Sequence, residues 1–588
     1  MAIKIINDQS GGVLPDRNMA ESLLVAGDTV DGAVDYKGRP ARRCKSGSWR
    51  SVCFLIGVEA AERGAYYGIL SNLMNFLTKQ LHQSMATAAS NVNVWVGTTS
   101  LLSLFAAFFA DSYIGRYRTI IVASFTYILG LGLLTFSTML PSLINCESQV
   151  SHKVIKPRST RPQAILFFIA LYIVALGQGG HKPCIQAFSA DQFDEHHPKE
   201  SKERSSFFNW WYFSSCAFCL LTVGLSNYIQ DNLSWVLGFG IPSLLLVVAL
   251  VTFIFGTKTY RFITVGDRKQ NPFIRIGRVF VAALRNWKVS TVPDVMFKEE
   301  TCGTLSHPSP SRQFSFLNKA LLAQNDSYED VVFTLKEVEE AKTILRLVPI
   351  WTTSLVYCLA SSQTITFFTK QGNTMNRTIF PGFDIPAASL QLMLPGAIVF
   401  FTPIYDCIIV QIASSITNKP YGITTLQRIG TGMVISIVTL VIAALVEMKR
   451  LQAVKNFGLI DEPNAIVPMS VWWLIPQYFL FGVADVFTMV GLQEFFYDQV
   501  PNELRSMGSA LFLSISGMGC FLSSFMISVV KKLSSDEDGQ SNWFDDNINQ
   551  AHLDYFYWLL VAFSTMAFVV YIFYATSYCY YQKGIILQ

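Results

Sequence analysis

Apolar residues run along this chain in blocks about as long as a bilayer is thick, separated by short polar breaks and one long polar stretch. Ala164–Gly177, Trp235–Phe255 and Tyr555–Tyr574 are near-continuously apolar. About twelve such segments can be drawn, at 51–78, 91–110, 119–140, 163–187, 206–229, 234–256, 346–369, 386–410, 428–447, 470–496, 509–530 and 554–578. The pattern predicts an all-α membrane protein. Six spans precede Thr257 and six follow Arg346, so the chain divides into a polar N-terminal segment (1–50), a first six-helix bundle (51–256), a linker (257–345), a second six-helix bundle (346–578) and a short tail (579–588). Two such halves suggest bundles that rock about a central site.

Inside the linker the period changes. Phe273, Ile276, Val279, Phe280 and Leu284 form one apolar face over 272–288, and Arg275, Arg278, Arg285 and Lys288 form a basic side. This predicts a helix lying at the membrane surface. Residues 300–330, rich in Ser and Pro, read as a flexible loop. Thr334-Leu-Lys-Glu337 reads as a capping box opening a long helix that continues into the seventh span.

Composition agrees. Of 588 residues, 51% are apolar and only 15% charged, against about 25% charged in soluble domains. A net charge of +4 gives no reason to expect nucleic acid. The eleven cysteines form neither a disulfide framework nor a zinc site. Cys216-x-x-Cys219 lies within an apolar span and reads as packing. No metal and no cofactor are expected. The polar first fifty residues resemble no cleavable signal peptide, so the first span is expected to direct insertion.

Basic residues orient the chain. Arg42, Arg43, Lys45 and Arg50 precede the first span, Arg116 and Arg118 follow the second, and the linker carries many more. The loop at 142–162 opposes the trend, but the weight favours cytoplasmic termini. Asn232-Leu-Ser and Asn376-Arg-Thr are then external glycosylation candidates, while Asn325-Asp-Ser falls in the cytoplasmic linker.

Charges inside spans are functional candidates because burial in the bilayer costs about 2.5–3.5 kcal/mol each on insertion scales. Glu59, Glu62 and Arg63 share one arc of the first span, with Arg63 roughly 40° from Glu59 and Glu62 roughly 60° to the other side. Tyr66 and Tyr67 extend the stripe. Lys182 sits in Gly177-Gln-Gly-Gly-His-Lys-Pro183, where it can pair with a carboxylate and release it on protonation; a snorkelling lysine is the plainer alternative. His181 is expected to face lipid or a packed neighbour. Glu494, in Gln493-Glu-Phe-Phe-Tyr497 near the cytoplasmic end of the tenth span, is the acid assigned to that span, with an interfacial structural role as the alternative and Asp485 read as packing or a second polar contact. Glu59, Glu62, Arg63, Lys182 and Glu494 sum to −1, a charge that one proton neutralises; counting Asp485 breaks the sum.

These strings also resemble a family. Glu59-x-x-Glu62-Arg63 with Tyr66-Tyr67, Phe109-Ala-Asp111-Ser-Tyr-Ile-Gly115-Arg116, Gly177-Gln-Gly-Gly-His-Lys-Pro-Cys, Phe188-Ser-Ala-Asp-Gln-Phe-Asp194, Pro476-Gln-Tyr-Phe-Leu, Gln493-Glu-Phe-Phe-Tyr-Asp and Leu504-Arg-Ser-Met-Gly-Ser are similar to the signatures of proton-coupled oligopeptide transporters and their plant nitrate/peptide relatives. Val34-Asp-Tyr-Lys-Gly-Arg-Pro-Ala41 and the long linker look plant-like. The resemblance spans residues 30 to 580. It implies a major facilitator fold, alternating access and, for many members, import driven by protons. By the same carry-over, Glu59, Glu62, Arg63 and Lys182 would couple protons, and Asp111 and Arg116 would form gate contacts. Tyr66, Tyr67, Lys182, Ser361, Gln363, Glu494 and Tyr497 would line the substrate site.

The chain departs from the pattern in places. Ser361 stands where nitrate-carrying relatives can use a histidine, Gly64 follows the arginine where a larger residue is usual, and Ser189 replaces a glycine. Lys370, at the outer end of the seventh span, reads as a snorkelling lysine that could also attract anions.

The leading expectation is a proton-coupled symporter of nitrate or a small organic solute such as a peptide, hormone or specialised metabolite. It would be monomeric and would sit in the plasma or vacuolar membrane. A proton-independent facilitator on the vacuolar membrane and a non-transporting sensor are the alternatives. An enzyme is not expected, since nucleophile elbow, H-E-x-x-H and phosphate-binding loop are all missing from the sequence.

Overall fold

The computed structural model of the chain describes residues 29–147, 161–194, 197–263, 272–288, 314–321, 334–380, 383–417, 423–463, 465–501, 505–534 and 543–578. Fifteen α-helices run through them. The first bundle holds α1 (Ser48–Lys79), α2 (Met85–Phe109), α3 (Arg116–Glu147), α4 (Arg161–Ala190), α5 (Pro198–Tyr228) and α6 (Trp235–Gly256). The linker contributes α7 (Pro272–Arg285). The second bundle holds α8 (Leu335–Ser361) with its short continuation α9 (Phe367–Asn373), α10 (Met393–Ile404) with α11 (Val410–Thr417), α12 (Thr425–Asn456), α13 (Ile475–Asp498), α14 (Arg505–Ser534) and α15 (Leu553–Thr576).

Ten candidate spans are long and apolar enough to cross a membrane among the described residues. The other two of the expected twelve, α1 and α5, are equally long at 32 and 31 residues. Glu59, Glu62, Arg63 and two asparagines dilute the apolarity of α1, and serine, asparagine and tryptophan dilute that of α5. Packing keeps both inside the bundle, with α1 against α4, α5 and α6. Glycines set how closely α4 approaches its neighbours. A Cβ on Gly179 would stand 2.8 Å from the Leu102 Cβ on α2, and one on Gly180 would stand 2.9 Å from the Ala123 Cβ on α3. The helix runs through Pro183 without a break.

The capping box forms as expected: Glu337 N–H donates to Thr334 Oγ1 at 3.4 Å, and Thr334 N–H donates to Glu337 Oε2 at 2.8 Å. The linker helix is also present, but Ile276 and Val279 of the apolar face expected at the membrane surface are buried against the 315–321 turn and α8, because that side of the helix packs on the protein. Asn232 and Asn376 are both exposed, at the end of the bundles where α1 finishes; Asn325 lies outside the described residues.

That end is also where the bundles are joined. Asn373 donates to Asn75, Gln391 to the Ser71 carbonyl at 2.9 Å, Asn93 to Ser523 at 3.0 Å, and the Met85 N–H to Asp546 at 3.0 Å. Ser90 pairs with Ser524, and Lys531 donates to Ser84 at 3.2 Å. The clasp is built largely of amides and hydroxyls.

The opposite end carries an element that the hydropathy pattern did not announce. Strands β1 (Thr29–Val34), β2 (Pro40–Arg42) and β3 (Phe262–Ile263) form an antiparallel sheet in the order β2-β1-β3. Behind it Arg261, 1% exposed, donates to Glu200 at 2.7 and 3.2 Å, to the Ser46 carbonyl at 2.9 Å and to the Gln192 carbonyl at 3.2 Å. Arg43 reaches Asp194 at 2.5 Å, and Ser48 donates to Glu203 at 2.8 Å. Burial pushes the Glu200 carboxyl up, but the hydrogen bonds from Arg261 and the Asp194 N–H outweigh it and hold the group below its ordinary value of 4.5. A carboxylate with a depressed folded value stabilises above its ordinary value and loses that contribution as pH falls through the folded one. Amide exchange over 29–42, taken relative to the unfolded-chain rate at the same pH, is therefore expected to accelerate below about pH 4.5. In Glu200→Gln it should be fast at neutral pH as well and no longer acid-sensitive.

Candidate functional site

The three charges of α1 meet as their spacing predicts. Arg63 Nε donates to Glu59 Oε1 at 2.7 Å and lies 3.9 Å from Glu62 Oε2. Glu59 and Glu62 are 1% and 0% exposed. One oxygen of Glu59 and both of Glu62 have no hydrogen-bond partner in the protein. Across from them, Gln178 and Lys182 stand one turn apart on α4; the Gln178 amide approaches Glu62 as a hydrogen-bonding neighbour and Lys182 acts on its charge. Arg63 thus faces both carboxylates, bonded to Glu59 and 3.9 Å from Glu62, and Lys182 is a second cation acting on Glu62 from α4.

The surrounding shell is polar, and the sequence reading did not assemble it. His181 is buried rather than lipid-facing, near Arg63, and its Nδ1 has no partner. Tyr127 of α3, fully buried, holds an unpaired hydroxyl coupled to Glu62. The Gln178 Oε1 is unpaired too. Buried polar atoms are normally matched by protein or by ordered water, so this cluster has the polarity to hold water beside Glu62. Gln178 could have been found from sequence, since it precedes Lys182 by one turn; nothing local marks Tyr127.

Tyr66 and Tyr67 roof the cluster. Tyr66 stacks on Trp95 at 5.6 Å between centroids and meets Tyr67 edge-on at 5.3 Å. The Trp95 indole is fixed by its bond to the Leu171 carbonyl at 2.9 Å.

In the second bundle, depth rearranges the expected set. At 1.5 Å per residue, Glu62 lies roughly 21 Å along α1 from Ser48, and Asp485 roughly 20 Å along α13 from Asp498. Glu494 is only roughly 6 Å from that same helix end. Its side chain is 46% exposed and pairs with Arg428 of α12 at 3.3 Å. Arg428 also donates to the Val486 carbonyl at 2.9 Å and covers the Tyr405 ring at 4.3 Å. Tyr497, 43% exposed, sits at the same end. Asp485 is half-buried at the level of Glu62, and its Oδ1 accepts from the buried Tyr357 hydroxyl at 2.6 Å. The acid at the depth of the α1 cluster is thus Asp485, not Glu494.

Ser361 is half-buried at the end of α8. Gln363 is wholly buried, and its amide is committed to the Leu359 carbonyl, Ser362 and Ser523 at 2.8–3.2 Å. It therefore belongs to the clasp that also holds Asn93. Arg116 pairs with Asp191, in the turn just past α4, at 2.6 Å, a contact within the first bundle. Asp111 lies in the π-helical turn 110–114, and its side chain is outside the described residues. No cluster of His, Cys, Asp and Glu able to hold a metal occurs among the described residues.

With this geometry in place, comparison with known proteins gives a consistent picture. The sequence model of the POT family (PTR2) matches residues 117–544. Protein NRT1/PTR family 5.10 of Arabidopsis thaliana is 58% identical over 93% of this chain and 95% of its own length. Protein NRT1/PTR family 5.12 of the same plant is 52% identical over 95% and 97%. Among solved structures, an auto-inhibited POT family peptide transporter aligns over 91% of this chain and 98% of its own, with a TM-score of 0.68 at 19% identity.

Proposed function

The chain belongs to the POT family of membrane transporters, and on that premise we propose that it is a proton-coupled symporter of nitrate or a small organic solute. One observation supports the reading: a fully buried carboxylate, Glu62, makes no well-formed hydrogen bond and stands among Arg63 at 3.9 Å, Gln178 and Lys182. A buried carboxylate is costly unless its charge is balanced, so Glu62 is placed to exchange a proton as the balance of its cationic neighbours changes. Protonation frees Lys182, and release of the proton recaptures it. That exchange is what coupling requires.

Charge counting supports the same reading once depth is respected. Glu59, Glu62, Arg63 and Lys182 sum to zero, and Asp485 in place of Glu494 makes −1, which one proton neutralises. The substrate is then offered a cationic wall on the first bundle and the Asp485–Tyr357 pair on the second. The clasp of amides and hydroxyls joins the bundles at the end bearing Asn232 and Asn376. With cytoplasmic termini, a route to the cluster through the other end would make this the inward-facing state. Plasma and vacuolar membranes both accommodate the reading, as does a monomer.

Uptake in oocytes tests it, with nitrate, dipeptides and plant hormones offered at acidic and neutral external pH. Uptake of one solute that rises with acidity supports the symporter and names the substrate. Uptake indifferent to pH favours a facilitator, and binding without flux favours a sensor. Asp485→Asn is expected to weaken transport of a cationic or zwitterionic substrate by roughly tenfold to a hundredfold, the scale of one lost charge-assisted hydrogen bond. Tyr357→Phe should change the apparent affinity less. A substrate whose uptake is indifferent to Asp485→Asn does not touch that wall.

A further inference from the structure

Helix α7 has two apolar faces, and the protein covers only one of them among the described residues. Ile276, Val279 and Ala283 are buried against Leu317 and Ala320 of the 315–321 turn and against Val338, Ala341 and Ile344 of α8. Arg275 secures the contact through a 2.6 Å ion pair with Glu340, itself 3% exposed. On the other side, Ile274, Arg278, Val281, Leu284 and Arg285 fall within an arc of about 120°, and all are exposed. Val281 and Leu284 are 57% and 64% exposed, and Trp287, just past the helix, is 59% exposed. Lys319 joins the patch: its Nζ donates to the Trp287 carbonyl at 2.7 Å and lies 5.7 Å from that ring's centroid.

We propose that this face of α7 docks on the cytoplasmic leaflet of the membrane and recognises anionic phospholipid headgroups. Three features select that occupant. Water is a poor neighbour for a row of Ile, Val, Leu and Trp. The hydrocarbon interior is a poor neighbour for Arg278 and Arg285. The interface between them suits both, with apolar side chains set below the headgroups and guanidinium groups among the phosphates. Position agrees, because α7 packs on residues 338–344 of α8, immediately before the apolar run that begins at Arg346. Charge agrees as well, because residues 272–288 contain no acidic residue. With the termini cytoplasmic, this leaflet is the one in which anionic lipids concentrate. The consequence is mechanical: α7 is fixed to α8 through Arg275 and Glu340, so headgroups that hold α7 also hold the second bundle at the end opposite the clasp.

The test uses the full-length protein in nanodiscs of phosphatidylcholine alone or mixed with phosphatidylserine. Two quantities are read: amide exchange over 272–288, and phosphatidylserine retained in native mass spectra. Exchange is expected to slow in the mixed discs and to recover at high salt. Arg278→Gln and Arg285→Gln should each lower phosphatidylserine retention about fivefold. Leu284→Gln should speed exchange in both lipids while keeping the preference for phosphatidylserine. Identical exchange in the two lipids would overturn the proposal. So would a phosphatidylserine preference that survives both arginine substitutions. Soluble phosphoserine protecting the helix without a bilayer would also overturn it, by revealing a free-anion site. None of these readouts depends on transport, so they stand or fall apart from the symporter reading.

Discussion

Glu62→Gln is expected to uncouple transport from protons while leaving exchange of the solute intact. Glutamine has nearly the shape of a protonated glutamic acid and cannot release a proton, so the variant holds the cluster in one charge state. Lys182 is then freed permanently, whereas in the parent protein it is freed once per cycle. With one proton carried per solute, each unit of pH gradient supports about tenfold accumulation. The parent should follow that relation. In the variant, accumulation should be flat across external pH, whereas exchange of labelled solute outside for unlabelled solute inside, which needs no net proton movement, should persist. Lys182→Ala should lose both, because it removes the partner that Glu62 recaptures and leaves the buried carboxylate one cation short. Steady-state accumulation and counterflow in proteoliposomes separate these cases. Accumulation by Glu62→Gln that still tracks the proton gradient would take Glu62 out of the coupling path.

The α1 charges were legible because one helix carries all three. Spacing alone places Glu59, Glu62 and Arg63 on one arc, and the 2.7 and 3.9 Å contacts follow from it. Lys182 was legible as a cation in a glycine-rich span. Depth was legible only for Glu494, which the span boundaries put near the cytoplasmic end. Nine residues separate it from Asp485, and periodicity says how their facings differ but not that Asp485 stands level with the α1 cluster. That requires the boundary at Asp498 and the presence of Arg428, sixty-six residues away in sequence from Glu494. The same limit hid the sheet. Strand β3 is two residues long and pairs with a segment more than two hundred residues earlier, so no local signal exists for it. Tyr127 enters the buried charge cluster from a third helix, and its place there depends on how closely α3 and α4 pack. The unanswered contacts are those made between helices, because hydropathy reports what faces lipid and says little about which buried faces meet.

The ion pair Glu447–Arg450 shows how costly such a hidden contact is to break. It was not counted among the membrane charges, since Glu447 ends a predicted span. Both residues are 0% exposed. The guanidinium grips Glu447 with two bonds of 2.6 and 2.9 Å and gives its other donors to Asn549 at 2.9 Å, the Ile548 carbonyl at 2.7 Å and Thr374 at 3.4 Å. All five of its donors are used. Gln371 adds a 2.6 Å bond to the Glu447 carboxylate. One side chain thus ties α12 to the end of α9 and to the segment entering α15. Arg450→Ala leaves Glu447 buried with one amide for company, a change that costs about 3–5 kcal/mol. The expected result is a large fall in folded yield and in the thermal midpoint of the purified protein. Arg450→Met combined with Glu447→Gln should recover most of the loss, because the cost lies in the uncompensated charge rather than in the absence of the pair. If the double variant is no more stable than Arg450→Ala alone, the contribution of Arg450 comes instead from its bonds to Asn549 and Ile548, and the pair serves mainly to hold the 543–552 segment against the bundle.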